Sequence, residues 1–574
     1  MFSGKKVKKI KIKIDGREIK TLPGQTILEV AQDNNIFLPS LCYHPDFCAK
    51  GNCRVCVVEV VGQCRLVTAC STIIKEGMVV FTNSPKVAAA RNSNIELLFA
   101  EHIEKCPTCT LRFNCALLDM AKRYKIKINS FRDRKGKRKT FKFANSVEID
   151  GSQCIDCRNC VDACSKMQNI NYLEIVGHGI RQEIVPTKDK KIDCIYCGQC
   201  ALHCPVASAQ EQDDWPKVEA ALKDKKKIVV AEFAPSVRVT IGEEFGLPYG
   251  TDATGQTVSA LKKLGFKHVF DVNFGADVTT MVEAQELLER VKNKKTLPLI
   301  TSCCPAWVKY AEFYNPELLP NLTTSRAPHI HLGGIIKTYW AKKMKINPQD
   351  IVLVSVMPCT AKKFEVARPE MKIKGLWPAD YAITTRELAF LLKKNKIDLA
   401  KLPKTPSDEI LNDGSGAAVI YGSSGGVMES ALRTANFLAC QNSQAKICNE
   451  RLDFKEVRGL ASLKEAVVDI AGKKLRVAVV NGIGEIKEVI KHLKKYDYIE
   501  VMACVGGCIG GGGQPIPTTK AIRQKRVAGL YNIDKSKKIR KAHENKGALE
   551  VLKWLKDNKL EHQVLHTTYK KRTR

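Results

Sequence analysis

Lysine alternates with aliphatic residues over positions 9–14, and that period of two predicts an N-terminal strand. From about Trp215 onward the pattern changes. Short apolar runs at 228–230, 297–300, 351–356 and 498–501 each end in a loop of small and chemically active residues. These loops are Ala234-Pro-Ser-Val-Arg238, Thr301-Ser-Cys-Cys-Pro-Ala-Trp307, Met357-Pro-Cys-Thr-Ala-Lys-Lys-Phe-Glu365 and Glu500-Val-Met-Ala-Cys-Val-Gly-Gly-Cys508 with its glycine-rich continuation. Periodicity alone does not separate a short buried strand from a buried helical turn, but four repeats of one arrangement favour strands. Open α/β sheets place their crevices at the C-terminal ends of such strands. Cys304, Cys359, Cys504 and Cys508 therefore converge, by this reading, on a site able to hold one cubane iron–sulfur cluster.

At 574 residues the chain has room for several domains, and 44% hydrophobic residues suit a globular core. No run approaches the roughly 18–20 apolar residues of a membrane span. The N-terminus lacks the apolar stretch of a signal peptide, so the expected location is cytoplasmic. The 24 cysteines fall mostly in Cys-x-x-Cys groups of a large chain, which points to metal rather than to a disulfide scaffold. A formal charge of +33, with basic runs at 5–13, 132–139, 223–227 and 569–574, fits nucleic acid, an acidic electron carrier or plainly solvated lysines. Two glycine-rich segments, Gly422-Ser-Ser-Gly-Gly426 and Asn481-Gly-Ile-Gly484, lack both the dinucleotide fingerprint and a Walker lysine, and read as tight turns.

Four cysteine groups precede the α/β region. Cys42, Cys53, Cys56 and Cys70 follow the logic of a [2Fe–2S] ferredoxin, with Cys48 and Cys64 as spares. Their spacing is similar to the N-terminal module of complex I large subunits and of modular [FeFe]-hydrogenases. His102, Cys106, Cys109 and Cys115 leave two readings on spacing alone: Cys3His zinc, or a [4Fe–4S] cluster with one imidazole ligand. Cys154, Cys157, Cys160 and Cys164, then Cys194, Cys197, Cys200 and Cys204 followed by Pro205, repeat the bacterial two-cluster ferredoxin spacing. In that fold the fourth cysteine of each run crosses over, so Cys204 joins the first set and Cys164 the second. Ser165 stands where a proline is usual, and the 29-residue insert between the runs exceeds that of free ferredoxins.

The three cysteine loops resemble the signature motifs of [FeFe]-hydrogenases, and the module order is similar to the monomeric clostridial type with four accessory clusters. The resemblance implies a multidomain α/β chain. Its expected parts are an N-terminal β-grasp ferredoxin-like domain (1–86), a small His-ligated cluster domain (87–145), a two-cluster ferredoxin-like domain (146–213) and a C-terminal two-lobed α/β H-cluster domain (214–574). It implies one [2Fe–2S], three accessory [4Fe–4S] clusters, and an H-cluster whose cubane is joined to a two-iron subsite carrying CO, cyanide and a bridging dithiolate. Cys304, Cys359 and Cys504 would hold the cubane and Cys508 would bridge. Lys362 would donate to one cyanide, Ser236 and Pro235 would cradle the other, and Met357 and Met502 would pack beside the two-iron site. Cys303 would begin a proton relay continuing through Glu283, Thr323 and Glu286 to Arg290. The reaction implied is 2H⁺ + 2e⁻ ⇌ H₂, with ferredoxin or flavodoxin as electron partner, dedicated maturation proteins, no nucleic acid, no membrane and a monomeric enzyme. His329 and Tyr421 stand where the family often has glutamine and phenylalanine.

Two rival readings belong to other classes, and a third stays within the enzyme class. A hydrogen sensor usually lacks the relay cysteine, which is present here as Cys303. A structural iron–sulfur assembly protein lacks the long accessory set. The catalytic subunit of an NADH-linked electron-bifurcating complex often carries an extra C-terminal [2Fe–2S] domain, and no cysteine follows Cys508. Cys48, Cys64, Cys440 and Cys448 receive no role.

Overall fold

The structure is a computed structural model and describes residues 8–102, 105–294, 296–411, 413–441 and 451–574. Strands β1 (Ile10–Ile14) and β2 (Arg17–Thr21) form the N-terminal hairpin, and its burial follows the sequence alternation, with Ile12 and Ile14 inside and the lysines out. β3 (Val57–Val60), β4 (Val67–Thr68) and β5 (Val79–Phe81) complete a five-stranded sheet in the order β2-β1-β5-β3-β4. The helix Ile27–Asp33 starts at a Thr26–Glu29 capping box and lays Ile27, Leu28, Val30 and Ala31 against this sheet.

Two later elements tie the N-terminal modules together. The helix Pro85–Ala100 contains the expected boundary at residue 86, and its buried Arg91 donates back to the carbonyls of Val55, Val57 and Thr82. β6 (Thr140–Phe143) pairs with β7 (Val147–Asp150) across the expected boundary at 145. A hairpin of β8 (Leu173–Val176) and β9 (Glu183–Pro186) stands alone, and β10 (Ala209–Glu211) closes a β10-β7-β6 sheet. Polar residues in a tight turn look like a linker in sequence, whereas the hydrogen-bond ladder shows one shared sheet.

The α/β region holds two sheets. β11 (Ile228–Phe233), β12 (His268–Asp271), β14 (Ile351–Met357) and β15 (Tyr381–Thr384) are all parallel, in the order β12-β11-β14-β15. β13 (Leu299–Ile300), β18 (Tyr498–Met502) and β17 (Lys473–Asn481) are parallel to one another, and β16 (Leu463–Ile470) pairs antiparallel at the edge. The four apolar runs that precede the reactive loops thus lie in β11, β13, β14 and β18. The long helix Asn273–Asn293 packs against the helices Pro328–Ile335 and Gly426–Gln441. The C-terminal helices Lys546–Asp557 and Glu561–Leu565 bury Val551, Leu555 and Val564 in the core of the first sheet.

A buried ion pair clamps the accessory modules to this region, and a second group braces the region itself. Arg386 pairs with Glu211 on β10 and donates to the carbonyls of Gly512 (2.7 Å) and Gln514 (2.6 Å). Lys363, fully buried, sits 3.1 Å from Asp214 and 2.9 Å from Glu387. Such pairs fix one geometry because either partner left alone would be a costly buried charge. Among the described residues no helix is long and apolar enough to cross a membrane.

Candidate metal centre and proton route

The loops after β11, β13, β14 and β18 meet around one cavity, walled by Cys303, Cys304, Cys359, Cys504 and Cys508. Proline opens the helix Pro305–Tyr314 directly behind Cys304, where its missing N–H costs nothing. Gly507 lies at a φ of +80°, and a Cβ there would come within 2.6 Å of the Ser424 backbone nitrogen, so only glycine lets the Cys504–Cys508 turn close on its neighbour. Ser236, Pro235, Met357, Met502 and Lys362 line the same cavity, as do His329 and Tyr421.

The chemistry of this donor set fits a metal cluster. Burial pushes the thiols of Cys304, Cys359 and Cys504 up and that of Cys508 up to about 12, so a metal-free cavity would hold neutral sulfur. Cations supplied by a cluster reverse that balance and make four thiolates favourable. Backbone N–H groups at Ala503, Trp307 and Ala306 act on Cys304 in the same direction.

Lys362 occupies one edge, donating to Glu365 at 2.6 Å and to the Cys303 carbonyl at 3.1 Å. Burial opposes its charge, but Glu365 outweighs burial and the ammonium is held above its ordinary range. Its third N–H is left for a ligand in the cavity. Ser236 accepts from Gln514 at 3.3 Å, which leaves its own hydroxyl proton to donate. His329 is 2.6 Å from Glu365 and 3.3 Å from Ser355, and Ser355 in turn donates to Glu232. Against the effect of burial, Lys362 and His329 hold the Glu365 carboxyl at about 2. Tyr421 hydrogen-bonds Thr280 at 2.9 Å.

Cys303 lies beside Cys304 with its thiol pushed well up, by burial first and by the charge of Glu283 second. Glu283 is 1% exposed; its Oε1 accepts from the Tyr498 hydroxyl at 2.5 Å and its Oε2 has no partner. Burial raises its pKa to about 8, so it is a neutral acid at neutral pH. Glu286 accepts from Thr323 at 2.6 Å and from Arg290 at 2.5 Å, and it borders a surface cavity with Glu289, Thr324 and His566. Thr323 thus belongs to Glu286, and the hydrogen-bond partner of Glu283 is Tyr498, a residue the sequence did not single out.

The accessory cysteines also fall into groups. Cys42 lies within hydrogen-bonding reach of Cys53 and Cys70, and Cys56 within reach of Cys70, while Cys48 and Cys64 are exposed. Buried His102 bonds the Gln153 carbonyl through Nδ1 at 2.8 Å, which fixes its tautomer and leaves Nε2 for a metal. Cys109 feels the charges of Cys115 and Cys106. Cys204 acts on Cys154, Cys157 and Cys160, and Cys164 acts on Cys194, Cys197 and Cys200, the crossed grouping. Cys197 also feels Cys304, so the second set adjoins the cavity. Cys440 is disulfide-bonded and Cys448 lies outside the described residues. Sequence reasoning missed Glu365 and Glu232. The first sits three residues after Lys362, the helical spacing that pairs side chains, and the second is the one acid in an otherwise apolar strand.

Five family models cover most of the chain. "Iron only hydrogenase large subunit, C-terminal domain" matches 227–512, "2Fe-2S iron-sulfur cluster binding domain" 7–85, and "4Fe-4S dicluster domain" 153–208. The "NADH-ubiquinone oxidoreductase-G iron-sulfur binding region" matches 91–129. "Iron hydrogenase small subunit" matches 520–572, so the C-terminal helices, read from sequence as part of the catalytic domain, correspond to a unit with its own family model. Iron hydrogenase 1 of Clostridium pasteurianum is 40% identical over 97% of this chain and 99% of its own length. The NADP-reducing hydrogenase subunit HndD of Solidesulfovibrio fructosivorans is 39% identical over 98% of this chain and 99% of its own. The apo [FeFe]-hydrogenase HydA1 of Chlamydomonas reinhardtii matches with a TM-score of 0.55 at 38% identity, over 62% of this chain and 98% of that structure. With near-complete alignment to the first two of these relatives and a single cavity gathering the signature cysteines, this chain belongs to the [FeFe]-hydrogenases, oxidoreductases that act on hydrogen and reduce protons to H₂.

Proposed function

We propose that Cys304, Cys359, Cys504 and Cys508 hold the H-cluster, with Cys508 shared between a [4Fe–4S] cubane and a two-iron subsite carrying CO, cyanide and a bridging dithiolate. The observation that carries this reading is the convergence of those four thiols, Cys303 and the Lys362 ammonium on one buried cavity. When bound, the group supplies the redox centre at which two electrons and two protons combine.

The chain's residues do the rest. Lys362 offers its free N–H and Ser236 its hydroxyl to the anionic diatomic ligands, Pro235 closes that side, and Met357 and Met502 keep water out. Cys303 exchanges its proton toward Glu283, whose neutral carboxyl can both give and take one. Glu286, held by Thr323 and Arg290, connects to the surface cavity. The step between Glu283 and Glu286 follows their i, i+3 placement on one helix face.

Upstream we assign one [2Fe–2S] cluster to Cys42, Cys53, Cys56 and Cys70, and three [4Fe–4S] clusters to His102 with Cys106, Cys109 and Cys115, and to the two crossed sets. The domains follow as 1–86, 87–145, 146–213 and 214–574: a β-grasp ferredoxin-like unit, the His-ligated unit, a two-cluster ferredoxin-like unit and a two-lobed catalytic unit. The helix Pro85–Ala100 and the β6–β7 hairpin serve as joints between the first three. The proposed setting is a cytoplasmic monomer, loaded by separate maturation proteins and served by ferredoxin or flavodoxin.

The test is to treat anaerobic apoprotein with a synthetic two-iron precursor. Infrared CO and cyanide bands and H₂ evolution with reduced ferredoxin are expected, and the lack of both refutes the H-cluster assignment. The similarity to an NADP-reducing hydrogenase subunit favours a second reading, a catalytic subunit of a nicotinamide-linked complex. H₂ evolution from NADPH only when partner subunits are added would select it.

A further inference from the structure

Three features that the catalytic cycle leaves unused meet on one face. The insert between the two ferredoxin-like cysteine runs forms the isolated β8–β9 hairpin, whose Ile175, Val176 and Ile180 are exposed. The basic run at 132–139 reaches it through Arg138, which donates to the Ile180 carbonyl at 2.9 Å and lies 3.9 Å from Glu183. The basic C-terminal tail folds back on the same insert: Arg574 donates to the carbonyls of Thr187 (2.7 Å), Asp189 (2.7 Å) and Ile192 (3.2 Å). Between them runs a groove with an apolar floor that includes Val176, Val185 and Pro186.

Charge on this groove is one-sided. Lys139, Lys188, Lys190 and Lys571 line it, are exposed, and make no ion pair among the described residues. The Arg574 guanidinium donates to backbone carbonyls and adds no side-chain anion to the groove. Arg572 is neutralised by Glu312 and Glu370, and Asp189 is the acidic side chain interleaved with the lysines. An apolar floor with a cationic rim suits an anionic protein face better than a small anion, because the lysines are spread along the rim rather than focused on one point.

The groove also lies close to a cluster site. Thr187 in its wall donates to the Tyr172 carbonyl at 2.8 Å, and the Tyr172 N–H points at Cys164 Sγ at 3.3 Å. Cys164 belongs to the set of Cys194, Cys197 and Cys200, the one that adjoins the catalytic cavity through Cys197 and Cys304.

We propose that this groove docks an acidic one-electron carrier protein and passes its electrons directly to the cluster at Cys164, Cys194, Cys197 and Cys200, bypassing the other three accessory sites. This rests on the assignment of a [4Fe–4S] cluster to that set. Each docking oxidises the carrier by one electron and reduces that cluster by one, so two dockings supply one H₂ and the two protons arrive by the separate acid route.

The experiment uses holoenzyme carrying Lys188→Glu, Lys190→Glu and Lys571→Glu, with a reduced acidic single-cluster [4Fe–4S] ferredoxin, a one-electron carrier, as probe. Reversing three rim charges should raise the KM for ferredoxin about tenfold or more and flatten its dependence on salt. Reduced methyl viologen, which needs no docking face, reports that the enzyme is otherwise intact, and the reversal of Lys223, Lys225 and Lys226 controls for net charge. A KM unchanged by the groove reversals, or raised equally by the control, overturns the docking surface. Freeze-quenched paramagnetic resonance after mixing with ferredoxin should show the [4Fe–4S] signal of this set before the [2Fe–2S] signal, and the opposite order overturns the bypass. Cys194→Ala, which offers no ligand atom, separately tests the cluster: if no [4Fe–4S] signal is lost, the underlying assignment fails, whatever the KM values are.

Discussion

Replacing Glu283 with glutamine tests the proton route and the electrostatics behind it together. Glu283 is buried, accepts one hydrogen bond from Tyr498, and has its second oxygen unpaired. With its pKa raised by burial from 4.5 to about 8, the folded protein keeps this proton over a range where the unfolded chain releases it. The stability associated with the protonated acid is fully present below pH 4.5, is lost as pH rises through about 8, and changes no further above that. At ~1.36 kcal/mol per pH unit the whole loss is about 5 kcal/mol, of which roughly 3 kcal/mol falls between pH 6 and pH 9. Glutamine has nothing to titrate. It introduces an amide N–H without a partner, at a cost of about 1–3 kcal/mol that does not vary with pH. The stability difference between Glu283→Gln and the parent should therefore move in the variant's favour by about 3 kcal/mol from pH 6 to pH 9. Taking roughly 2 °C per kcal/mol for a large domain, that is a relative Tm gain of about 6 °C in anaerobic scanning fluorimetry of the holoenzyme. Turnover should fall by about 10²–10⁴, since an amide cannot carry the proton, while iron content and infrared bands stay as in the parent. A Tm difference that does not change with pH would show that Glu283 is not a neutral buried acid. Retention of more than about a tenth of the turnover would remove it from the route.

Other expectations follow from the same geometry. Cys303→Ser keeps the shape of the cavity but replaces the thiol by a far weaker acid, so H₂ evolution should drop by about 10² or more with the infrared bands retained. Arg386→Met strands Glu211 without its charge partner and frees the carbonyls of Gly512 and Gln514; the cost should be about 3–5 kcal/mol, read as a lowered Tm. In Gly512→Ala the new Cβ would lie 2.3 Å from the Cys197 carbonyl oxygen and 2.6 Å from Gly198 Cα, both backbone atoms. That overpacking should cost about 1–3 kcal/mol and slow ferredoxin-driven turnover by widening the gap between the last accessory set and the cavity.

How much was legible in advance can be argued from particular residues. The strand before each reactive loop was visible because a buried parallel strand is a short uninterrupted apolar run. The two cysteine runs that end in Cys164 and Cys204 were visible because their spacing repeats. Module limits were less legible: the turn between β6 and β7 has the composition of a linker, yet its flanks pair across it. The C-terminal helices carry amphipathic faces that look alike whichever core they join, so their correspondence to a hydrogenase small subunit came from comparison.

The sequence by itself determined which atoms are available. Cysteine spacing, the Lys362 and Ser236 loops and the paired glutamates are local facts, since metal ligation and helix faces depend on residue type at short separations. Tertiary structure decided which atoms share an environment. Glu232, Ser355, His329, Glu365 and Lys362 form one buried network from β11, β14 and two helices. Tyr498, 215 residues away in the chain, is the partner of Glu283. Burial is a property of the assembled fold, and burial is what makes Glu283 a neutral acid and gives four thiols a reason to meet a metal. No pattern along the chain encodes it, because the groups that exclude water from these side chains come from strands and helices that meet only when both sheets close on the cavity.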